Sequence, residues 1–93
     1  MKYTVFPSGR FKKGLKLAQK RGLDTNKLAA IIKLLADGCA LPSENKDHQL
    51  IGNYSGKREC HIEPDWLLIY EYIDSELVLY LVDTGTHSDL FNK

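Results

Sequence analysis

Three histidines, His48, His61 and His87, carry the most suggestive chemistry in this chain. Each has an acid close by in sequence: Asp47 beside His48, Asp65 after His61, Asp89 after His87. Imidazole titrates near neutrality, so it can take or give a proton at cellular pH. Other chemistries are less well served. A metal site built from the three histidines and a carboxylate has no ligand pair at the spacing of a known motif. Neither Cys39 nor Cys60 belongs to a CxxC pair, so a structural zinc is not expected. No serine lies in a GxSxG elbow, and no Gly-rich phosphate loop precedes a helix. No metal and no cofactor is therefore expected.

Acid–base work by imidazoles and carboxylates suits phosphodiester cleavage of RNA. The nucleophile is then the RNA's own 2′-OH. The protein supplies a base, an acid for the 5′-oxygen, and positive charge for a phosphorane-like transition state. Charge distribution is compatible with a polyanionic substrate. The net charge of +1 hides two unlike halves. Residues 1–37 carry nine Lys/Arg against Asp24 and Asp37, a balance of +7, while residues 38–93 carry four bases and ten acids, a balance of −6. The basic half reads either as a solvated face or as a surface for a polyanion. Lys57 and Arg58 could contact phosphate, although Arg58 could instead pair with Glu59 or Glu63. Trp66 and Phe91 could stack on bases. Trp66 opens an apolar run and fits a core equally well.

These residues need a scaffold. At 93 residues the chain is one domain, and 43% hydrophobic with 27% charged residues is the composition of a globule rather than a disordered chain. "KYTVF" alternates and reads as a short strand ended by Pro7. Ser8 caps a first helix with Phe11, Leu15 and Ala18 on one face, and Gly22 ends it. Asp24 or Thr25 caps a second, with Leu28, Ile31, Ile32 and Leu35 as its stripe and Gly38 as its stop. Lys12, Lys13, Lys16 and Lys20 face outward from this hairpin. "CALPSENKDHQLIGNYSG" reads as a loop. Three strands follow, at about 57–62, 66–73 and 76–82. The breaks between them are short enough to force antiparallel hairpins. "WLLIYEY" is apolar on both pleat faces, as a central strand covered on both sides would be. Asp83 sits at the mouth of a Thr-Gly-Thr turn. Thr86 and Asp89 have capping-box spacing, which places His87 at the first position of a terminal helical turn. The expected fold is α+β in the order β-α-α-β-β-β, with a helical hairpin packed on an antiparallel sheet. No apolar run approaches membrane-spanning length. The opening "MKYTVFPSGR" lacks the apolar core of a secretory signal, and the cysteines have no framework spacing, so a cytoplasmic location is expected.

Three blocks, "KDHQLIG" (46–52), "GKRECHIEPDWLLIY" (56–70) and "TGTHSDLF" (84–91), resemble the YafQ branch of the RelE-superfamily toxins of bacterial toxin–antitoxin pairs. The expected element order matches that superfamily, so the resemblance covers nearly the whole chain. It implies a ribosome-dependent endoribonuclease that cleaves mRNA in the A site. It implies a DinJ-like antitoxin as partner, with operator DNA bound only through the complex. By position, the family's KDHxL histidine corresponds to His48. Its histidine, acid and aromatic in CHxEPDW correspond to His61, Asp65 and Trp66. Its TGTH histidine corresponds to His87, and its C-terminal aromatic to Phe91. The resemblance casts His87 as general acid or base, His48 and Asp65 as its counterpart, and His61 as phosphate binder. Lys12, Lys13, Lys16 and Lys20 are the candidates for ribosomal RNA.

One position departs from the pattern. Relatives usually carry arginine before TGTH, and this chain has Asp83. A like charge about 5 Å from a phosphate, at an effective dielectric of about 20, opposes binding by about 3 kcal/mol. That is roughly two orders of magnitude in rate. Two readings follow: a cleaving toxin, or a catalytically weakened homologue acting mainly as antitoxin partner and operon co-repressor.

Overall fold

The two helices form where their caps and stripes dictate. A computed structural model describes residues 1–91. Strand β1 spans Thr4–Pro7 and helix α1 spans Gly9–Lys20. The Ser8 hydroxyl accepts the Phe11 N–H at 3.0 Å, capping α1. Gly22 takes φ +75° just past its end, a left-handed stop that costs glycine least. Helix α2 spans Thr25–Ala36 and is capped by Asp24, whose carboxylate accepts from Asn26 N–H. Phe11, Ala18, Leu28, Ile31, Leu35 and Ala36 are buried against the sheet.

The remaining strands are β2 (His48–Gln49), β3 (Arg58–Glu63), β4 (Trp66–Ile73) and β5 (Val78–Gly85). They build one sheet in the order β1-β5-β4-β3-β2. The expected antiparallel hairpins are present between β3 and β4 and between β4 and β5. Two features go beyond the expectation. First, β1 pairs with β5 in parallel, so the sheet is mixed rather than purely antiparallel. Four residues of strand carry no signal of direction, and the helical hairpin returns the chain so that β1 lies along the outer edge of β5. Second, the expected loop contains β2, which pairs His48 with Glu59 and Gln49 with Arg58.

Strand β4 divides the core. Trp66, Leu68 and Tyr70 point to the helices, while Leu67 and Ile69 point to the opposite face. That opposite face is covered by Val82 and Leu90, with Leu50, Tyr54, Tyr80 and Phe91 packed around them. The apolar run is thus buried on both sides. Strand β5 runs three residues further than expected and takes in Asp83, Thr84 and Gly85. These pair with Ile69, Leu68 and Leu67, and a bulge falls between the Ile69 and Tyr70 pairs. Asp83 therefore lies in a strand, not in a turn. Helix α3, His87–Phe91, follows directly. No helix among the described residues is long and apolar enough to cross a membrane.

Candidate active site

The sheet face turned away from α1 and α2 gathers the histidines. In a strand, alternate residues share a face, so Glu59 and His61 of β3 point the same way as Leu67 and Ile69, their partners on β4. His48 pairs with Glu59 across β2 and β3 and joins the same face. Helix α3 brings His87 over its end. The His61 and His87 rings stand 5.9 Å apart, centroid to centroid.

His87 is held by Asp65, which sits in the two-residue turn between β3 and β4. Asp65 Oδ1 accepts from His87 Nδ1 at 2.7 Å and from the His87 backbone N–H at 3.1 Å. The ring hydrogen bond and then the backbone one hold the Asp65 carboxyl below the usual carboxylate range. A carboxylate can only accept, so Nδ1 carries the hydrogen and Nε2 is the atom left for proton transfer. The turn itself is the expected capping box: Thr86 N–H donates to Asp89 at 2.9 Å and Asp89 N–H to the Thr86 hydroxyl at 3.1 Å.

His48 and His61 share Glu59. Glu59 Oε1 lies 3.4 Å from His48 Nε2 and 3.9 Å from His61 Nε2. Glu59 is buried, at 5% exposure, in contrast to the exposed Asp65. Nδ1 of His48 faces the Lys46 carbonyl at 2.7 Å, and Nδ1 of His61 faces the Pro64 carbonyl at 3.2 Å. Each Nδ1 thus faces a backbone carbonyl, and one buried carboxylate stands near both Nε2 atoms.

The acids nearest in sequence are not the histidines' partners. Asp47 points to the other face, where it accepts from the Tyr70 hydroxyl at 2.5 Å and from Arg58 Nε at 3.2 Å. Burial and that hydrogen bond push the Tyr70 phenol far above its ordinary value. Asp65 serves His87 rather than His61. Asp89 takes the Arg21 guanidinium, at 2.7 and 3.2 Å. The arginine, followed by the Thr86 N–H, lowers the Asp89 carboxyl to about 2.

The other candidates separate. Arg58 is an ion pair as anticipated, but with Asp47 rather than with Glu59 or Glu63. It lies on the helix side, in register with Tyr70, away from the histidines. Lys57 stands 3.9 Å from Glu71. Trp66 is 2% exposed and its Nε1–H donates to the Thr84 hydroxyl at 3.0 Å. A buried indole offers no face to a base, so the stacking role expected of Trp66 is corrected to a core role. Phe91 is half-buried, edge-on to Tyr54 at 5.7 Å and 6.4 Å from the His87 ring. It remains available beside the site. Lys12, Lys13, Lys16 and Lys20 are all exposed on α1.

Asp83 is not a bare charge. It is buried at 7% exposure, accepts the Thr84 N–H at 2.9 Å, and lies 3.3 Å from Arg10 Nη2. Burial raises its pKa, while Thr84 and then Arg10 oppose the rise.

Sequence reasoning missed Glu59 and Arg21. Glu59 stands two residues before His61, the spacing that shares a strand face, and that signal was available. Arg21 gave none, because its partner is 68 residues away.

Fold and site together define a small α+β domain of the RelE-like kind, with three imidazoles and two carboxylates on its open sheet face. Residues 3–92 match the family model described as a bacterial toxin of type II toxin–antitoxin systems, YafQ. The chain belongs to this YafQ toxin family. It is 47% identical over 85 residues, 90% of either chain, to a protein named mRNA interferase toxin YafQ from Escherichia coli K12. Its structure is similar to that of YafQ in the E. coli DinJ-YafQ toxin–antitoxin complex, with a TM-score of 0.87, 43% identity, and coverage of 98% and 99% of the two chains. It is also similar to a metal-bound toxin from Helicobacter pylori, with a TM-score of 0.91, 40% identity, and coverage of 96% and 99%. Among the described residues here, no group of three or more His, Cys, Asp or Glu side chains is arranged to hold a metal ion.

Proposed function

We propose that this protein is an endoribonuclease toxin that cleaves mRNA in the ribosomal A site, by acid–base catalysis that requires no metal. The observation that carries the reading is the pairing of His87 with Asp65 beside His61. His87, fixed in one tautomer, transfers a proton at Nε2. His48, between Lys46 and Glu59, is its proton-transfer counterpart, and His61 binds the phosphate. Asp65 orients His87 rather than acting as a second base. Phe91 stacks on a base next to the scissile bond. Lys12, Lys13, Lys16 and Lys20 dock on ribosomal RNA, and Lys57 adds a peripheral phosphate contact.

A DinJ-like antitoxin holds the toxin silent in the cytoplasm, and the pair represses its own operon. The likeness to the solved E. coli DinJ-YafQ toxin–antitoxin complex supports such a partner. Against the weakened-toxin alternative stand the contacts of Asp83 with Arg10 and with the Thr84 N–H. Induction of the natural chain without antitoxin should arrest growth, and co-expression of a DinJ-like protein should relieve the arrest. Unimpeded growth with intact ribosome-bound mRNA would overturn the proposal.

A further inference from the structure

Helix α3 is five residues long. A free helix of that length does not persist in water, since nucleation is unfavourable and helices under about 12 residues are marginal. The orientation of His87 must therefore be set from outside the turn. Leu90 seats α3 on Leu67, Ile69 and Val82, but apolar contact is non-directional and tolerates rotation. The capping box lies within the turn itself. Asp65 is exposed at a hairpin tip. Besides the Asp65 bonds to His87, a directional tie reaches α3 from the end of α1, the two-pronged contact of Arg21 with both Asp89 oxygens.

The surroundings are shaped for this tie. Arg21 is the C-cap of α1, its N–H bonded to the Leu17 carbonyl at 3.0 Å, so its backbone is fixed. Helix α1 lies hard against β5 because position 14 is glycine: a Cβ there would stand 2.2 Å from the Thr84 carbonyl oxygen. At the other side, a Cβ on Gly85 would stand 2.8 Å from Asp89 Cβ. Two close approaches thus bring the end of α1 and the start of α3 within reach of one ion pair. The same Asp89 oxygen that accepts from Arg21 Nη1 also accepts the Thr86 N–H. The carboxylate joins the clamp to the cap that presents His87.

We infer that Arg21 is a positioning residue for His87, acting through Asp89 to set the angle of the α3 turn against Asp65. The inference rests on the cleavage chemistry proposed above. The variants are Arg21→Gln, and Asp89→Asn, which keeps an oxygen for the Thr86 cap but loses the charge. Two readouts apply to the full chain: kcat and KM for mRNA cleavage on ribosomes, and the 15N tautomer signature of the His87 ring. Each variant should lower kcat about tenfold with KM nearly unchanged, and the double variant should be no worse than either single one. The ring should shift from the Nδ1–H tautomer towards a mixture, and Arg21→Lys should recover part of both. An unchanged kcat and ring signature in a folded Arg21→Gln, a loss seen only in KM, or fully additive losses would overturn the inference. If the natural chain cleaves nothing, the cleavage reading fails, and the ring signature still decides whether Arg21 sets His87.

Discussion

Asp65 Oδ1 accepts two hydrogen bonds from a single residue, the ring Nδ1–H and the backbone N–H of His87. The pair fixes both the tautomer of the imidazole and the start of the turn that carries it. Asp65→Asn would remove the charge and let the amide present a donor to the ring. Cleavage should fall about 100-fold with ribosome binding retained, as for loss of a positioned acid–base partner. Because the bonds to His87 lower the Asp65 pKa, their contribution is present above the ordinary carboxylate range and lost as pH falls through the lowered value. An acid titration of the His87–Asp65 contact by NMR checks that direction.

Trp66 and Phe91 are both aromatic, but they should fail in different ways. Trp66→Phe removes a buried N–H and ring volume beside Thr84, and should lower stability by about 1–3 kcal/mol. Its KM should be unchanged. Phe91→Ala should raise KM and leave unfolding nearly unaffected. Chemical denaturation beside steady-state cleavage separates the two.

Asp83→Asn keeps the acceptor for Thr84 N–H and removes the charge. Burial raises the Asp83 pKa, so the ionised form costs stability at neutral pH. The variant's Tm at pH 7 should equal or exceed that of the natural chain. Its advantage should fade as pH falls below the raised value, where Asp83 itself is protonated. With Arg10 already pairing the carboxylate, cleavage should change by less than about tenfold, where a bare charge would cost roughly two orders of magnitude.

Much of this arrangement was legible in the chain because it is locally encoded. Ser8, Gly22, Asp24 and Gly38 mark the helices at positions their backbone chemistry requires. The run at 66–73 announces a strand buried on both faces. The pairing of Thr86 with Asp89 places His87 at a helix start. What was not legible depends on strand geometry and distant contact. Asp47 and His48, neighbours in sequence, serve opposite faces of the sheet, so adjacency in sequence suggested the wrong partner. The parallel placement of β1, and the reach of Arg21 to Asp89 and of Arg10 to Asp83, are set by tertiary packing.

The basic face of α1 makes a further claim. Neutralising Lys12, Lys13, Lys16 and Lys20 together should weaken ribosome association and flatten its dependence on salt, since each phosphate contact made releases counterions and adds to the slope. Sedimentation of the protein with ribosomes across a salt series measures this. An unchanged slope would return these lysines to a solvated surface.

The most direct test of the account is the chemistry of the cut ends. Protein stripped of transition metals by a chelator is added to a translating extract, and the cleaved mRNA is analysed at both new termini. Attack by the RNA's own 2′-OH, with His87 and His48 moving the protons, predicts a 2′,3′-cyclic phosphate on one fragment and a 5′-hydroxyl on the other. Fragments ending in 3′-hydroxyl and 5′-phosphate, or cleavage that returns only when metal is restored, would contradict it.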